Sequence, residues 1–138
     1  MPSPSRRGFL ATASSLAVGA VAGCLGGDVP DGDVEVGPGA SQVFKPREYA
    51  VSVGDTVTWT FASAGHNVSA VPDHGDPVSL PDGAEPFASY PLDDDDARFR
   101  TDPRGDTFEH TFETPGEYTY VCVPHIRSRM IGTIVVEE

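Results

Sequence analysis

The sequence is poor in cysteine, in positive charge and in long apolar segments. Its 138 residues include two cysteines, which allows at most one intramolecular disulfide. Nine basic residues face 21 acidic ones, and Lys45 is the single lysine. So much negative charge repels nucleic acid, which argues against DNA or RNA as a partner. No apolar segment is long enough to span a bilayer, and no amphipathic helix of ordinary length is evident.

The excess of acidic residues indicates the kind of organism the protein comes from rather than what the protein does. Aspartate outnumbers glutamate and lysine is nearly absent, a balance typical of proteins from salt-loving organisms. High salt screens the self-repulsion of such a surface. We therefore expect a halophilic source.

The first 23 residues are typical of an export signal. Arg6 and Arg7 form a twin-arginine opening, and a short apolar stretch of small residues follows. A buried N-terminal helix is the alternative, but no polar face recurs at helical spacing. The motif Val21-Ala22-Gly23-Cys24 resembles a lipobox, in which the signal is cut before a cysteine that takes a lipid. An ordinary cleavage site beside a stray cysteine is the second interpretation of this motif.

These motifs predict a protein exported by the twin-arginine route and lipid-anchored on the outer face of the cell membrane. Stable anchoring takes two acyl chains, because one chain binds only marginally. Loss of residues 1–23 would remove two arginines and no acid, leaving seven basic residues against 21 acidic ones and a formal charge of −14. With Cys24 lipidated, Cys122 would be the lone thiol and no internal disulfide could form.

The remaining chain divides into a tether and one domain. Residues 24–40 are rich in Gly, Asp and Pro and are predicted to form a flexible tether, although Val34 to Val36 could begin an edge strand. Residues 41–138 are predicted to form the domain. Short β-branched and aromatic segments separated by turns predict an all-β sandwich or barrel. The predicted strands are 49–53, 56–61, 67–71, 107–112, 118–122 and 130–136.

The long segment from Pro72 to Asp106 is less regular. We expect loops with one or two short strands or a helical turn, because an unstructured stretch of this length is uncommon in a small domain. Four aromatic or aliphatic residues are predicted to pin it to the domain: Phe87, Tyr90, Leu92 and Phe99. The run of four aspartates at 93–96 is predicted to be a solvated face, since it lacks the spacing of a calcium loop.

The stretch from Tyr120 to Gly132 brings three metal-binding residue types together. His125 follows Cys122 after two residues, Met130 follows after four more, and a predicted strand flanks each side. A thiolate, two imidazoles and a weak thioether suit both oxidation states of copper. A ligand set whose geometry barely changes keeps reorganisation small, so electrons transfer quickly. The stretch therefore predicts a copper loop that needs one more histidine.

Three histidines could supply the second imidazole. His110 lies mid-strand on the face of two phenylalanines and is predicted to be structural. His74 lies among Pro, Asp and Gly in what we expect to be a mobile, exposed loop. His66 follows an aromatic strand at a turn that leads into another strand, and such a turn can aim a ring at a fixed point. We expect His66 to be the ligand, with His74 as the second candidate.

Two segments of the sequence resemble those of a known family. The segments GHNVSAV and GEYTYVCVPHIRSRMIGTIVV look like the two copper-binding segments of the plastocyanin family of cupredoxins. The resemblance covers residues 41–138 and implies a Greek-key β-sandwich of about eight strands with one type 1 copper ion at one end. It also implies a ligand set consisting of His66, Cys122, His125 and Met130.

The resemblance extends to one neighbouring residue and has two exceptions. Asn67 follows the first ligand as in the family, where that residue ties the ligand loops together; a plain turn residue is the alternative. Family members commonly carry glycine before the methionine, where this chain has Arg129. Plant plastocyanins carry an aromatic residue before the cysteine, where this chain has Val121. The first exception affects the methionine loop, and the second removes one proposed electron route.

The predicted function is electron transfer by a monomer between membrane redox proteins, rather than catalysis. An enzyme with Cys122 as nucleophile and His125 or His66 as base would need an orienting group and a substrate cleft. The residues are also compatible with a copper chaperone or a purely structural sandwich. Arg127 and Arg129 are predicted to meet acidic partners where the electron leaves, although they could merely soften local anion crowding.

Overall fold

A computed structural model describes residues 31–138. The predicted signal peptide, Cys24 and the start of the tether lie outside the described residues. Within the described range the chain forms nine strands, β1 Val34–Val36, β2 Phe44–Lys45, β3 Glu48–Ser52, β4 Thr56–Phe61, β5 Ser69–Ala70, β6 Phe87–Ala88, β7 Thr107–Thr111, β8 Gly116–Val121 and β9 Ile131–Glu137. The helices are short 3₁₀ turns: Pro38–Ala40, Pro72–His74, Asp95–Phe99 and Val123–Ser128. No helix in residues 31–138 is long and apolar enough to cross a membrane.

The strands form two sheets, which confirms the predicted all-β sandwich. One sheet has the order β2-β1-β4-β7, and the other has the order β3-β9-β8-β5-β6. Most neighbours are antiparallel, but β1 pairs in parallel with β4 and β3 pairs in parallel with β9. The structure has nine strands where about eight are predicted, because two-residue strands such as β2 and β6 carry too little alternation to be read from sequence.

Aromatic rings fill the space between the sheets. Trp59 on β4 is fully buried, and its ring centroid lies 5.5 Å from that of Phe108 and 5.5 Å from that of Tyr120. The period-two pattern of β4 explains this placement, since Val57, Trp59 and Phe61 all point to the same buried face. Aromatic packing of this kind provides much of the apolar burial that stabilises a small domain.

The tether predicted for residues 24–40 extends too far toward the C-terminus, because its last residues belong to the folded domain. Val34 and Val36 are fully buried, and β1 lies between β2 and β4 rather than at the sheet edge. The folded domain therefore begins before residue 41. Short sequences of alternating valines inside a Gly- and Asp-rich stretch give only a weak strand signal, and the parallel pairing with β4 cannot be read from them.

The segment between β5 and β7 is folded as predicted in outline, with one short strand and two 3₁₀ helices. Phe87 and Tyr90 are buried and fix it to the core. Leu92 and Phe99 are instead 50% and 60% exposed, so the prediction that they pin the segment is wrong. Polar contacts hold that part of the segment, as described below for Asn67.

Candidate metal centre

The candidate ligands lie where two loops meet at one end of the sandwich. His66 follows Gly65, whose φ of 91° provides the turn after β4. The carbonyl of His66 accepts a hydrogen bond of 2.8 Å from the amide of Asp102, which fixes the first loop. Cys122 directly follows β8, and its amide donates to the carbonyl of Met130 at 3.1 Å, which closes the second loop.

The structure brings three of the predicted residues together. Cys122 Sγ lies 3.3 Å from His125 Nδ1 and 3.8 Å from His66 Nδ1, and the two Nδ1 atoms are 3.2 Å apart. Cys122 is fully buried, His66 is 3% exposed and His125 is half-buried. One sulfur and two ring nitrogens therefore face a common point, with one ring reaching toward solvent.

Met130 lies in the core at the end of the same loop. Its side chain is fully buried, and its amide donates to the carbonyl of His125 at 3.3 Å. Arg129 before it has φ 64° and ψ 38°, the left-handed conformation. The chain thus keeps at Arg129 the backbone angle that glycine adopts most easily. The left-handed conformation before Met130 is therefore present here without a glycine.

Asn67 joins three segments around the candidate centre. Its Oδ1 accepts a hydrogen bond of 2.9 Å from the amide of Val123, next to Cys122. Its Nδ2 donates to the carbonyls of Arg98 at 3.0 Å and Arg100 at 2.8 Å. Because the Asn67 side chain is fully buried and all these groups are paired, it is more than a turn residue. It locks the two ligand loops to each other and to the 98–100 segment.

Burial shifts the pKa values of Cys122 and His66 toward their neutral forms. It raises the pKa of the Cys122 thiol to about 11, although backbone amides of Asn67 and His125 donate toward the sulfur and oppose this shift. Burial also lowers the pKa of His66, with a smaller contribution in the same direction from His125. A neutral imidazole is the form that binds a metal, whereas the thiol must lose its proton on binding.

The other two histidines are structural, although one differs from its prediction. The His110 ring stacks on Phe87 with centroids 4.1 Å apart, as expected for a ring on an aromatic face. The His74 side chain is 5% exposed, so the prediction of an exposed histidine is wrong, although its loop neighbours Pro72 and Asp73 are exposed. His74 Nδ1 lies 2.7 Å from the buried hydroxyl of Tyr90, and Nε2 lies 3.6 Å from Asp95. These contacts anchor the ring away from the ligand cluster.

Sequence reasoning does not identify Ser63, whose Oγ lies 3.1 Å from His66 Nε2. A serine three residues before a candidate ligand gives no signal of its own. Arg127 and Arg129 are exposed and follow His125 by two and four residues. Arg129 also lines a shallow surface hollow with Arg47.

The donor set fits copper. One thiolate with two imidazoles is the main donor set of blue-copper sites, and the buried Met130 of the same loop would supply the weak thioether donor that such sites also use. A structural zinc site would instead use four strong ligands such as cysteine and histidine. In residues 31–138, His66, Cys122 and His125 form the group of potential ligands whose atoms all lie within 4.8 Å of one another.

Comparisons with known proteins agree with this chemistry and confirm the predicted resemblance. The model of the copper binding proteins of the plastocyanin/azurin family matches residues 31–137. Halocyanin from Natronomonas pharaonis is 35% identical over 96 residues, which cover 68% of this chain and 48% of halocyanin. The matched part therefore spans about half of that relative's length.

Two further relatives cover more of their own length. The chloroplastic plastocyanin of Hordeum vulgare is 31% identical over 135 residues, 94% of this chain and 77% of the plastocyanin. A solved pseudoazurin from Sinorhizobium superposes with a TM-score of 0.54 at 28% identity, covering 76% of this chain and 72% of the pseudoazurin. The likeness therefore includes both sequence and fold.

Proposed function

This chain belongs to the plastocyanin/azurin family of copper-binding proteins, and we propose that it is a type 1 copper protein that carries single electrons. The observation that carries the proposal is the convergence of Cys122 Sγ with the Nδ1 atoms of His66 and His125. A bound copper ion would supply the one-electron Cu(II)/Cu(I) couple. The proposed ligands are these three residues together with Met130.

The chain's own contribution is a rigid set of donors. Asn67 ties the two ligand loops together through Val123, and the Cys122 amide closes the second loop on Met130. Residues held by buried hydrogen bonds keep their positions when the charge at the site changes. Little rearrangement is then needed between oxidation states, which suits fast electron transfer and gives no role to a bound substrate.

Electrons enter and leave most directly through His125, the one proposed ligand that is half-buried. Arg127 and Arg129 are exposed and follow His125 by two and four residues, on a protein with a formal net charge of −12. Opposite charge on a partner would steer it to this end of the molecule. The proposed partners are therefore redox proteins whose docking surfaces are acidic.

By the same proposal, the protein is exported by the twin-arginine route and held at the outer face of the cell membrane by a lipid on Cys24. The support is the order of the motifs, with Arg6 and Arg7 before the apolar stretch and the lipobox-like Val21 to Cys24 after it. Membrane redox proteins would then be within reach of a tethered monomer. The acidic, lysine-poor composition supports a halophilic source.

Voltammetry of the copper-loaded full-length protein tests the function. An electron carrier is expected to give a reversible one-electron wave, and Met130→Leu is expected to shift its potential because a weak thioether donor would tune it. A copper chaperone would pass its copper rapidly to a chelator and give no stable wave. A structural sandwich would not retain copper at all. Either of the last two results would contradict the proposal.

A further inference from the structure

A hydroxyl group connects the buried histidine His66 to the backbone just after strand β1. Ser63 Oγ lies 3.1 Å from His66 Nε2 and 2.7 Å from the carbonyl oxygen of Gly37. We propose that Ser63 and Gly37 are positioning residues that hold the proton of His66 on Nε2 and so present an unprotonated Nδ1 to the metal. The inference rests on the proposed function, since it assigns Nδ1 as the metal-binding atom.

The side chains of His66 and Ser63 and the carbonyl of Gly37 form a hydrogen-bond relay. The hydrogen-bonding capacity of each group fixes its direction. A serine hydroxyl has one hydrogen, and a carbonyl oxygen can only accept. Ser63 therefore donates its hydrogen to Gly37 and can only accept from His66 Nε2. A neutral imidazole carries one N–H, so Nδ1 has a free lone pair. That nitrogen is the atom that lies 3.8 Å from Cys122 Sγ and 3.2 Å from His125 Nδ1.

Gly37 is required by space as well as by backbone angle. The residue is buried with φ 70°, a conformation that side chains rarely adopt. A Cβ at this position would overlap Ser63 Oγ and lie 2.5 Å from His66 Nε2. Any larger residue would therefore push apart the two groups that form the relay.

The far end of the relay is anchored in the first sheet. The Gly37 amide donates to the carbonyl of Val43 at 2.9 Å. One residue earlier, the carbonyl of Val36 accepts from the amide of Ala62 at 2.9 Å. The parallel pairing of β1 with β4 thus sets the position of both Gly37 and Ser63. The orientation of the His66 ring therefore depends on that strand pairing as well as on the ligand loop.

The test measures the protonation of the His66 ring in the metal-free, full-length protein by ¹⁵N NMR. The wild type is expected to show a protonated Nε2 and an unprotonated Nδ1. Ser63→Ala is expected to give a mixture of the two tautomers, and Ser63→Thr is expected to restore the wild-type pattern. Ser41→Ala is the matched control, because its hydroxyl donates to Pro38 O at 2.6 Å nearby but has no role in the relay.

Copper affinity, measured by competition with a chelator, provides a second readout. Loss of a group that orients a metal-binding histidine typically weakens affinity by about 10- to 100-fold, and we expect Ser63→Ala to fall in that range. Ser63→Thr and Ser41→Ala should stay near the wild-type value. If Gly37→Ala folds, its copper affinity should resemble that of Ser63→Ala. If Gly37→Ala does not fold, the Ser63 variants alone test the proposal.

A wild-type ring protonated on Nδ1 would overturn the inference, as would a Ser63→Ala variant with unchanged tautomer and unchanged copper affinity. The NMR experiment uses protein without metal, so it reports on the relay even if the copper-loaded wild type fails to carry electrons. Failure of the relay and failure of the proposed function are thereby distinguished.

Discussion

The Oδ1 atom of Asn67 accepts a hydrogen bond of 2.9 Å from the amide of Val123. This bond joins the residue that follows His66 to the residue that follows Cys122. The same side chain also donates to two carbonyls of the 98–100 segment. Because the Asn67 side chain is fully buried, its own polar atoms cannot turn to water when one of these bonds is lost. Asn67 therefore couples the stability of the fold to the geometry of the metal centre.

Replacing Asn67 with alanine should destabilise the copper-free protein by roughly 3 kcal/mol or more. The reason is that three backbone groups bonded to the buried Asn67 side chain lose their partner, and each such loss costs about 1–3 kcal/mol. Urea denaturation followed by circular dichroism measures the effect. Asn67→Asp keeps an acceptor for Val123 but faces two carbonyls with a carboxylate, so it should be at least as destabilising at pH 8. A loss below about 1 kcal/mol for Asn67→Ala would show that the bond network is not needed.

Arg129→Gly should stabilise the protein by up to about 1 kcal/mol. The left-handed conformation costs a residue with a Cβ roughly 1–2 kcal/mol, and part of the gain is offset by the greater chain entropy of glycine. Arg127→Gly is the matched control, since Arg127 lies inside the 3₁₀ helix that Arg129 caps, has no positive φ, and its replacement should be destabilising. Thermal or urea unfolding of both variants measures the difference. Equal destabilisation of the two variants would be inconsistent with the observed backbone.

Replacing Arg127 and Arg129 together with glutamine should slow electron exchange with acidic redox proteins by roughly 10-fold or more at low ionic strength, because steering by opposite charge is lost. Stopped-flow kinetics at several salt concentrations measure the rate. The reaction with a small uncharged reductant is the control and should be unchanged. If the rate with acidic partners stays at the wild-type value, the arginines only balance nearby anions.

The stability of the copper-free protein should depend on His110 below neutral pH. Burial lowers the pKa of this ring from its ordinary 6.5, although Glu85 acts in the opposite direction. Below pH 6.5 the unfolded chain binds the proton more readily than the folded one, so stability is lost as the pH falls from 6.5 through the folded pKa. The loss between pH 8 and pH 5 should therefore be smaller in His110→Phe than in the wild type.

Urea unfolding at the two pH values measures this prediction for His110. Glu85→Gln is the control of opposite sign, because it removes the charge that favours the protonated ring and should enlarge the loss. An identical pH dependence in the wild type and His110→Phe would mean that the ring titrates normally in the fold.

Local patterns explain which parts of the fold can be read from sequence. The alternation of Val57, Trp59 and Phe61 predicts β4 at its observed bounds, because period-two burial is a property of the strand itself. The spacing of Cys122 and His125 likewise predicts that both lie in one loop. Residues only three positions apart share a loop whatever the rest of the chain does, so this part of the site can be predicted locally.

Non-local pairings explain what the sequence does not reveal. The Ser63 relay depends on the parallel register of β1 and β4, which no short pattern encodes. His74 is buried because Tyr90, sixteen residues further on, returns to meet it. Phe99 is exposed because Asn67 holds the carbonyls on either side of it, leaving its own side chain outside. In each case a contact between distant segments overrides the tendency of a single residue.

The most direct test of the central claim is a visible absorption spectrum of the full-length protein titrated with Cu(II) and then reduced with ascorbate. The wild type is expected to develop an intense blue band at one equivalent of copper and to bleach on reduction. Cys122→Ser is expected to lack the band, because a thiolate ligand is its source. A wild type without the band, or a band that survives the loss of Cys122, would contradict a type 1 copper centre at these residues.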